Sequence, residues 1–186
     1  SPSSRTTRHP ATDSSHRSRR PQRSQVRSVG VRSVAIARGS AVRELKTFRY
    51  LCPRPLTPVM GNHTFDPDRA AALEDESRYR VLSWDELHTL LAPRADMCVA
   101  DLGSGTGFYT ADVATEVDRC YAVDVQDAMH DMYREKGVPA NVDLVTAEVS
   151  DLPFDDDALD AAFSTMTYHE FAGPDAAREL ARVCRP

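Results

Sequence analysis

Apolar positions in the second half of the chain follow two periods in turn. Ser83-Trp84-Asp85-Glu86 places serine three residues before glutamate, the pattern of a capping box. Trp84, Leu87, Leu90 and Leu91 then share one helical face until Pro93 ends the run. Trp84 reads as a core anchor on that face. Upstream, Asp66-Pro67-Asp68 opens a predicted helix through Tyr79, with Ala70, Ala71, Ala72 and Leu73 inside it. After Pro93 the pattern shortens to continuous apolar runs bounded by turn residues. Met97–Leu102, Arg119–Asp124, Val142–Ala147 and Leu159–Ser164 read as buried strands. Phe108–Val117 and Gln126–Lys136 read as helices, the second closed by Gly137. Pro174 at a first helical position starts a last helix, with Ala177, Leu180, Val183 and Cys184 on its apolar side. Strand and helix in alternation predict an α/β fold with a parallel sheet and right-handed crossovers.

Charge divides the 186 residues into two unlike parts. Residues 1–59 hold 13 Lys+Arg and 2 Asp+Glu, a balance of +11; residues 60–186 hold 10 and 26, a balance of −16, and the two sum to −5. The basic head carries 12 arginines, 10 serines and six prolines with almost no apolar period. It cannot bury enough surface to offset its ordering entropy, so it is expected to be disordered. Four roles stay open for it. Arg19-Arg20 could begin a twin-arginine export signal, but Arg27, Arg32 and Arg38 interrupt the apolar stretch such a signal needs. The others are a transit peptide, a nucleic-acid-binding arm, or no role at all. The acidic part opens abruptly at Met60-Gly61-Asn62-His63, so the natural start is expected at or near Met60, with the head not native.

The acidic body, residues 60–186, contains a single lysine, Lys136, a surface style that resembles salt-adapted proteins and argues against nucleic acid as its partner. No apolar run approaches the roughly 20 residues of a membrane span, and a cytoplasmic protein is expected. Cysteines 52, 98, 120 and 184 lack C-x-x-C spacing, which excludes a zinc finger and argues against a disulfide framework. Cys98 and Cys120 fall in predicted strands and read as core thiols. No metal is expected.

Three of the eight glycines, at 103, 105 and 107, follow a predicted strand and open a predicted helix. Glycines there let a ligand approach the backbone, and a helix N-terminus offers N–H groups to an anion. Asp124 closes the second strand, where a carboxylate can accept hydrogen bonds from both hydroxyls of a ribose. A dinucleotide site needs glycine or alanine where Phe108 stands, and a P-loop needs G-K-[ST], which is absent. Asp101, two residues before the first glycine, would repel a pyrophosphate and suits a cationic amino acid tail.

Val99-Ala-Asp-Leu-Gly-Ser-Gly-Thr-Gly107 resembles motif I of the class I S-adenosylmethionine-dependent methyltransferases. Asp124 in Ala122-Val-Asp-Val125 resembles the acidic residue of their second motif. Glu148-Val-Ser-Asp-Leu-Pro-Phe154 resembles a segment of the ubiquinone/menaquinone-type branch, and Leu159–Ser164 its fourth strand. Phe65–Ala70 resembles the cap helix that precedes these. The resemblance covers about 60–186. It implies a Rossmann-like three-layer sandwich with strand order 3-2-1-4, S-adenosyl-L-methionine as cofactor and a small-molecule methyl acceptor. By the same resemblance, Gly103, Ser104, Gly105 and Gly107 admit the methionine portion, with Asp101 near its amino group. Asp124 holds the ribose diol beside Val125, Glu148 accepts from the adenine amino group, the Val149 N–H meets a ring nitrogen, and Ser164 lines the sulfonium side. Glu148 stands where the family usually has aspartate, one methylene longer.

Methyl transfer from a sulfonium depends mainly on positioning, with a base where the acceptor must lose a proton. His169, in Tyr168-His169-Glu170 past the fourth strand, is the base candidate; the alternative is a packing histidine of the loop. His63 and Phe65 are weaker candidates for a lid. The family's sheet usually runs 3-2-1-4-5-7-6, so three strands beyond Pro186 are expected to be missing and strand four to expose an edge. Two functions follow: a methyltransferase acting on a small molecule, or a cofactor-binding remnant that is silent alone or needs a partner.

Overall fold

The computed structural model describes residues 34–37 and 72–186. Five strands form one sheet: β1 (Val34–Ala37), β2 (Cys98–Leu102), β3 (Arg119–Asp124), β4 (Val142–Thr146) and β5 (Ala161–Thr165), in the order β1-β5-β2-β3-β4. β2, β3, β4 and β5 run parallel, so the four strands read from the body take the expected 3-2-1-4 order. Register Leu102↔Val123 and Asp124↔Thr146 brings the carboxyl ends of β2, β3 and β4 to one edge.

Side chains alternate across β2. Val99 joins Cys120, Ala122, Ala161 and Phe163 on one face, packed against α1 (Trp84–Leu91), α2 (Phe108–Ala114) and α3 (Asp127–Lys136) through Leu87, Leu91, Val113 and Tyr133. Ala100 and Leu102 point to the other face, covered by α5 (Pro174–Val183) through Ala176, Leu180 and Val183 and by the loop residues Val149 and Leu152. The result is three layers around one sheet, the Rossmann-like sandwich expected. Between β5 and α5 lies α4 (Tyr168–Phe171).

Local signals explain most boundaries. Ser83 and Glu86 form the capping box in full, and the chain leaves α1 through Ala92 at φ 41, ahead of Pro93. Trp84 is partly buried against the first core, as a core anchor should be. Gly137 ends α3 with its N–H on the Tyr133 and Arg134 carbonyls.

Four expectations are corrected. The helix read through Tyr79 is, over its described part, a pair of 3-10 turns at 72–74 and Glu76–Arg80. Asp75 divides them: its side chain accepts the Ser77 N–H at 2.7 Å and restarts the turn. The head read as disordered contributes β1, which pairs antiparallel with β5, Ile36 opposite Phe163. The short run Val34-Ala35-Ile36-Ala37 is the one apolar stretch between Arg32 and Arg38. It also covers the edge of β5 that was expected to be open. Leu159, read as the start of β5, forms an isolated bridge to Cys184 instead. The readings of Cys52, His63, Phe65–Ala70 and the start at Met60 lie outside the described residues. Cys98, Cys120 and Cys184 are free thiols, and among the described residues no helix is long and apolar enough to cross a membrane.

Candidate functional site

The turn from β2 into α2 is built by steric demand at its two ends. Gly107, at φ 79, lies over the Tyr133 ring; a Cβ there would sit 2.0 Å from that ring. Gly103 is met from the other side by Thr167, whose hydroxyl would be 2.5 Å from an added Cβ. Two of the three glycines are thus required by protein contacts rather than by a ligand. Only at Gly105 is the space open, with Leu73 Cδ1 at 3.4 Å as the nearest atom.

Four backbone donors of the turn are already committed. The N–H groups of Gly103 and Ser104 both donate to the Val123 carbonyl, at 2.8 and 3.0 Å, and that of Gly107 to the Ser104 carbonyl. The Gly105 N–H donates to Asp124 Oδ2 at 2.8 Å. β3 and the turn thus use the N–H groups of the three glycines and Ser104, while those of Thr106, Phe108, Tyr109 and Thr110, at the start of α2, have no acceptor among the described residues.

Asp124 closes β3, nearly buried, with Oδ1 accepting the Gln126 N–H at 3.0 Å. Its two oxygens bind the turn on one side and the start of α3 on the other. Val125, next in the chain, is 51% exposed and is the large hydrophobic side chain left in solvent among the described residues. Asp101 is buried at the end of β2 with Oδ2 accepting from the Thr110 hydroxyl at 2.6 Å. Among the described residues its Oδ1 has no partner, and neither has the buried Ser104 Oγ. Burial pushes the Asp101 carboxyl up to about 7, against the opposing pull of the Thr110 hydroxyl and the Arg78 charge.

Glu148 is exposed just past β4, with Ser150 Oγ at 3.4 Å, while the Val149 side chain is buried in the second core. Ser164 is buried in β5, its hydroxyl 3.1 Å from that of Thr167. Met166, at φ 67, turns the chain there, and Thr167 donates to the Leu102 carbonyl at 3.2 Å. His169 is exposed on α4, its Nε2 2.9 Å from Glu170 Oε1. The structure thus gathers Asp101, Ser104, Gly105 and Asp124 around one turn. Ser164 reaches the same turn through Thr167; among the described residues Glu148 and His169 make no hydrogen bond or ion pair with it.

Several participants escaped the sequence. Thr110 lies nine residues after Asp101, one turn inside α2, a spacing that could have suggested it. Thr167 and Tyr133 are required only because the fold brings them to glycines. Glu74 accepts the Thr106 hydroxyl and pairs with Lys136 Nζ at 2.9 Å, tying the 3-10 turns to the glycine turn and to α3.

Comparison with known proteins agrees with this arrangement. The family described as "Methyltransferase domain" matches residues 100–186. A solved S-adenosylmethionine-dependent methyltransferase from Aquifex aeolicus superposes with a TM-score of 0.57 at 30% identity, over 66% of this chain and 69% of that one. The ubiquinone/menaquinone biosynthesis C-methyltransferase UbiE of Idiomarina loihiensis is 33% identical over 101 residues, 50% of this chain and 40% of that protein. The biotin biosynthesis bifunctional protein BioHC of Cellvibrio japonicus is 38% identical over 87 residues, 46% of this chain and 17% of that protein. The chain thus spans well under half the length of these two curated relatives. A parallel sheet in this order, a glycine turn at its carboxyl edge and these likenesses together place the chain in the class I S-adenosylmethionine-dependent methyltransferases.

Proposed function

We propose that this chain binds S-adenosylmethionine at the carboxyl edge of β2, β3 and β4 and transfers its methyl group to a small-molecule acceptor. The observation that carries the reading is that Asp101 Oδ1 and Ser104 Oγ, two of four buried polar side-chain atoms without a partner among the described residues, flank Gly103. Such atoms are costly unless a ligand completes them, and the cofactor's amino acid tail brings an ammonium donor and carboxylate oxygens. The residues present therefore fit the cofactor. Asp124 would take the ribose diol, with oxygens whose remaining lone pairs are free beside two N–H bonds. Val125 offers an apolar face to adenine, Glu148 would accept from its amino group and the Val149 N–H would donate to a ring nitrogen. Gly103, Gly105 and Gly107 leave the turn low enough for the methionine portion, and Ser164 lines the sulfonium side. The unit that does this comprises residues 60–186, extended by β1.

When bound, the cofactor supplies a methyl group on a sulfonium whose departure leaves a neutral thioether. The chain's own task is to hold an acceptor in line, at about 3–3.5 Å. His169 is the group that would take a proton from the acceptor, with Glu170 orienting its ring. The Idiomarina relative is named for ubiquinone and menaquinone biosynthesis, which supports a small-molecule acceptor. Calorimetry with S-adenosylhomocysteine and transfer of a labelled methyl group to small phenols and quinones test the reading. Failure of the folded chain to bind S-adenosylhomocysteine would remove it. Binding without transfer to any small acceptor would leave the cofactor site and remove the transferase assignment.

A further inference from the structure

His130 stands in the first half of α3, fully buried. Its Nδ1 lies 3.1 Å from the Thr146 hydroxyl at the end of β4, and that hydroxyl donates to Asp127 Oδ1 at 2.5 Å. With its one hydrogen on Asp127, the Thr146 oxygen accepts, so Nδ1 carries the ring proton. Nε2 is then a bare acceptor, buried, with no partner among the described residues. A proton on Nε2 instead would leave Thr146 facing two acceptors with one hydrogen. Burial pulls the ring below the ordinary histidine pKa and keeps it neutral; the Asp124 and Asp127 carboxylates and the Ala122 carbonyl oppose this, and the Arg134 charge adds to it. A buried nitrogen without a donor costs stability, and an apolar side chain of similar size would fill the place without that cost. The ring is therefore explained by what its other nitrogen holds. α3 begins with no side-chain cap bond at Gln126, and Asp127, the next residue, ties its first turn to β4. Thr146 stands opposite Asp124 in the sheet register, and the Gln126 N–H donates to Asp124 Oδ1 at 3.0 Å. The row His130, Thr146, Asp127 thus fixes the turn whose N–H orients the Asp124 carboxylate.

We propose that His130 is a positioning residue: by donating from Nδ1 to Thr146 it holds that hydroxyl on Asp127, locks the first turn of α3 onto β4 and so presets the Asp124 carboxylate for the cofactor. This rests on Asp124 belonging to the S-adenosylmethionine site. His130 acts through two other side chains. Its unpartnered nitrogen weakens the fold, while its bonded nitrogen spares the ligand the work of ordering the turn.

Heteronuclear NMR of the full chain at neutral pH reads the ring nitrogens. A protonated Nδ1 and a bare Nε2 are expected, and the reverse overturns the proposal. Calorimetry with S-adenosylhomocysteine and urea unfolding then separate binding from stability. His130→Leu should bind about three- to tenfold more weakly, the worth of one neutral hydrogen bond, while unfolding at the same or a higher urea concentration. Thr146→Val, at an exposed position, should lose the same affinity, and the double variant no more than either alone. His130→Asn, which returns a donor near the place of Nδ1, should recover part of the loss. Unchanged affinity in His130→Leu and Thr146→Val makes His130 a packing residue, overturns the proposal and leaves the site reading standing. Losses that add in full in the double variant overturn it as well. Should His130→Leu fail to fold, Thr146→Val decides: a fall of that size supports the proposal, and no fall overturns it. Wild type that binds no S-adenosylhomocysteine removes the site reading, and this proposal with it.

Discussion

Asp101 accepts the Thr110 hydroxyl with one oxygen, the other has no donor among the described residues, and burial raises its carboxyl from 3.8 to about 7. Between those values the folded chain keeps a proton that the unfolded chain releases. The group's contribution to stability is therefore full below about pH 4 and is lost as pH rises through 7. Asp101→Asn removes that loss and keeps an acceptor for Thr110. The variant should exceed wild type by on the order of 1–3 kcal/mol at pH 8 and match it near pH 4. Thermal melts at the two pH values check this; a constant gap would show that the carboxyl does not titrate in that window. Asp124 works differently, because both its oxygens already bond backbone N–H groups. Asp124→Ala should lower S-adenosylhomocysteine affinity about tenfold or more and also loosen the turn at Gly105. Calorimetry measures the first effect, and unchanged affinity would sink the ribose assignment. Hydrogen exchange at Gly105 measures the second.

At the scale of elements, α5 does more than cover a sheet face. Arg182 donates to the Leu152 and Phe154 carbonyls at 3.2 and 2.8 Å and pairs with Asp156 and Glu179 at 2.9 and 2.6 Å. Glu179 in turn accepts the Leu152 N–H at 2.9 Å. The loop between β4 and β5, which carries Glu148 and Val149, is therefore stitched to α5 by one guanidinium. Arg182→Ala should cost about 1–3 kcal/mol, mostly through the two carbonyls rather than the exposed ion pair. Amide exchange at Leu152 should accelerate in this variant while the sheet core stays protected; uniform exchange would contradict it. Nothing in the sequence points to this stitch, since its partners stand 26–30 residues apart with no pattern linking them. What was legible had local causes: the Ser83–Glu86 box, Pro174 at the start of α5, and the parallel order that follows from strand-helix alternation. The glycine turn was legible as a motif, but not its internal use of N–H groups, which depends on where Val123 and Asp124 end in space. The 3-10 turns were missed because one side-chain bond from Asp75 outweighs an alanine-rich helical pattern.

For the molecule as a whole, the unforeseen piece is β1. Its four residues lie in a segment whose composition predicts no order, and the partner that gives them structure is 125 or more residues away in sequence (Ala37↔Ala162), on β5. Ile36 packs against the first core and Ala37 is buried in the second, so β1 closes both faces of the sheet at that edge. Removing residues 1–33 leaves this strand in place, whereas removing residues 1–59 takes it away and exposes the backbone of β5. The longer deletion should lose several kcal/mol from burial of Ile36 and Ala37 and from the ladder bonds, and should aggregate through the open edge. Urea unfolding and light scattering on the two truncations measure the difference. The turn around Asp101, Asp124 and Gly105 belongs to β2 and β3, beyond β5 from that edge. S-adenosylhomocysteine affinity at low temperature should therefore agree within about twofold between the truncations, because the side-chain and turn hydrogen bonds of Asp101, Gly105 and Asp124 go to Thr110, Gln126 and each other and not to β1. If the two truncated chains unfold at the same urea concentration, β1 is no part of the folded sheet, and the basic head returns to being an appendage.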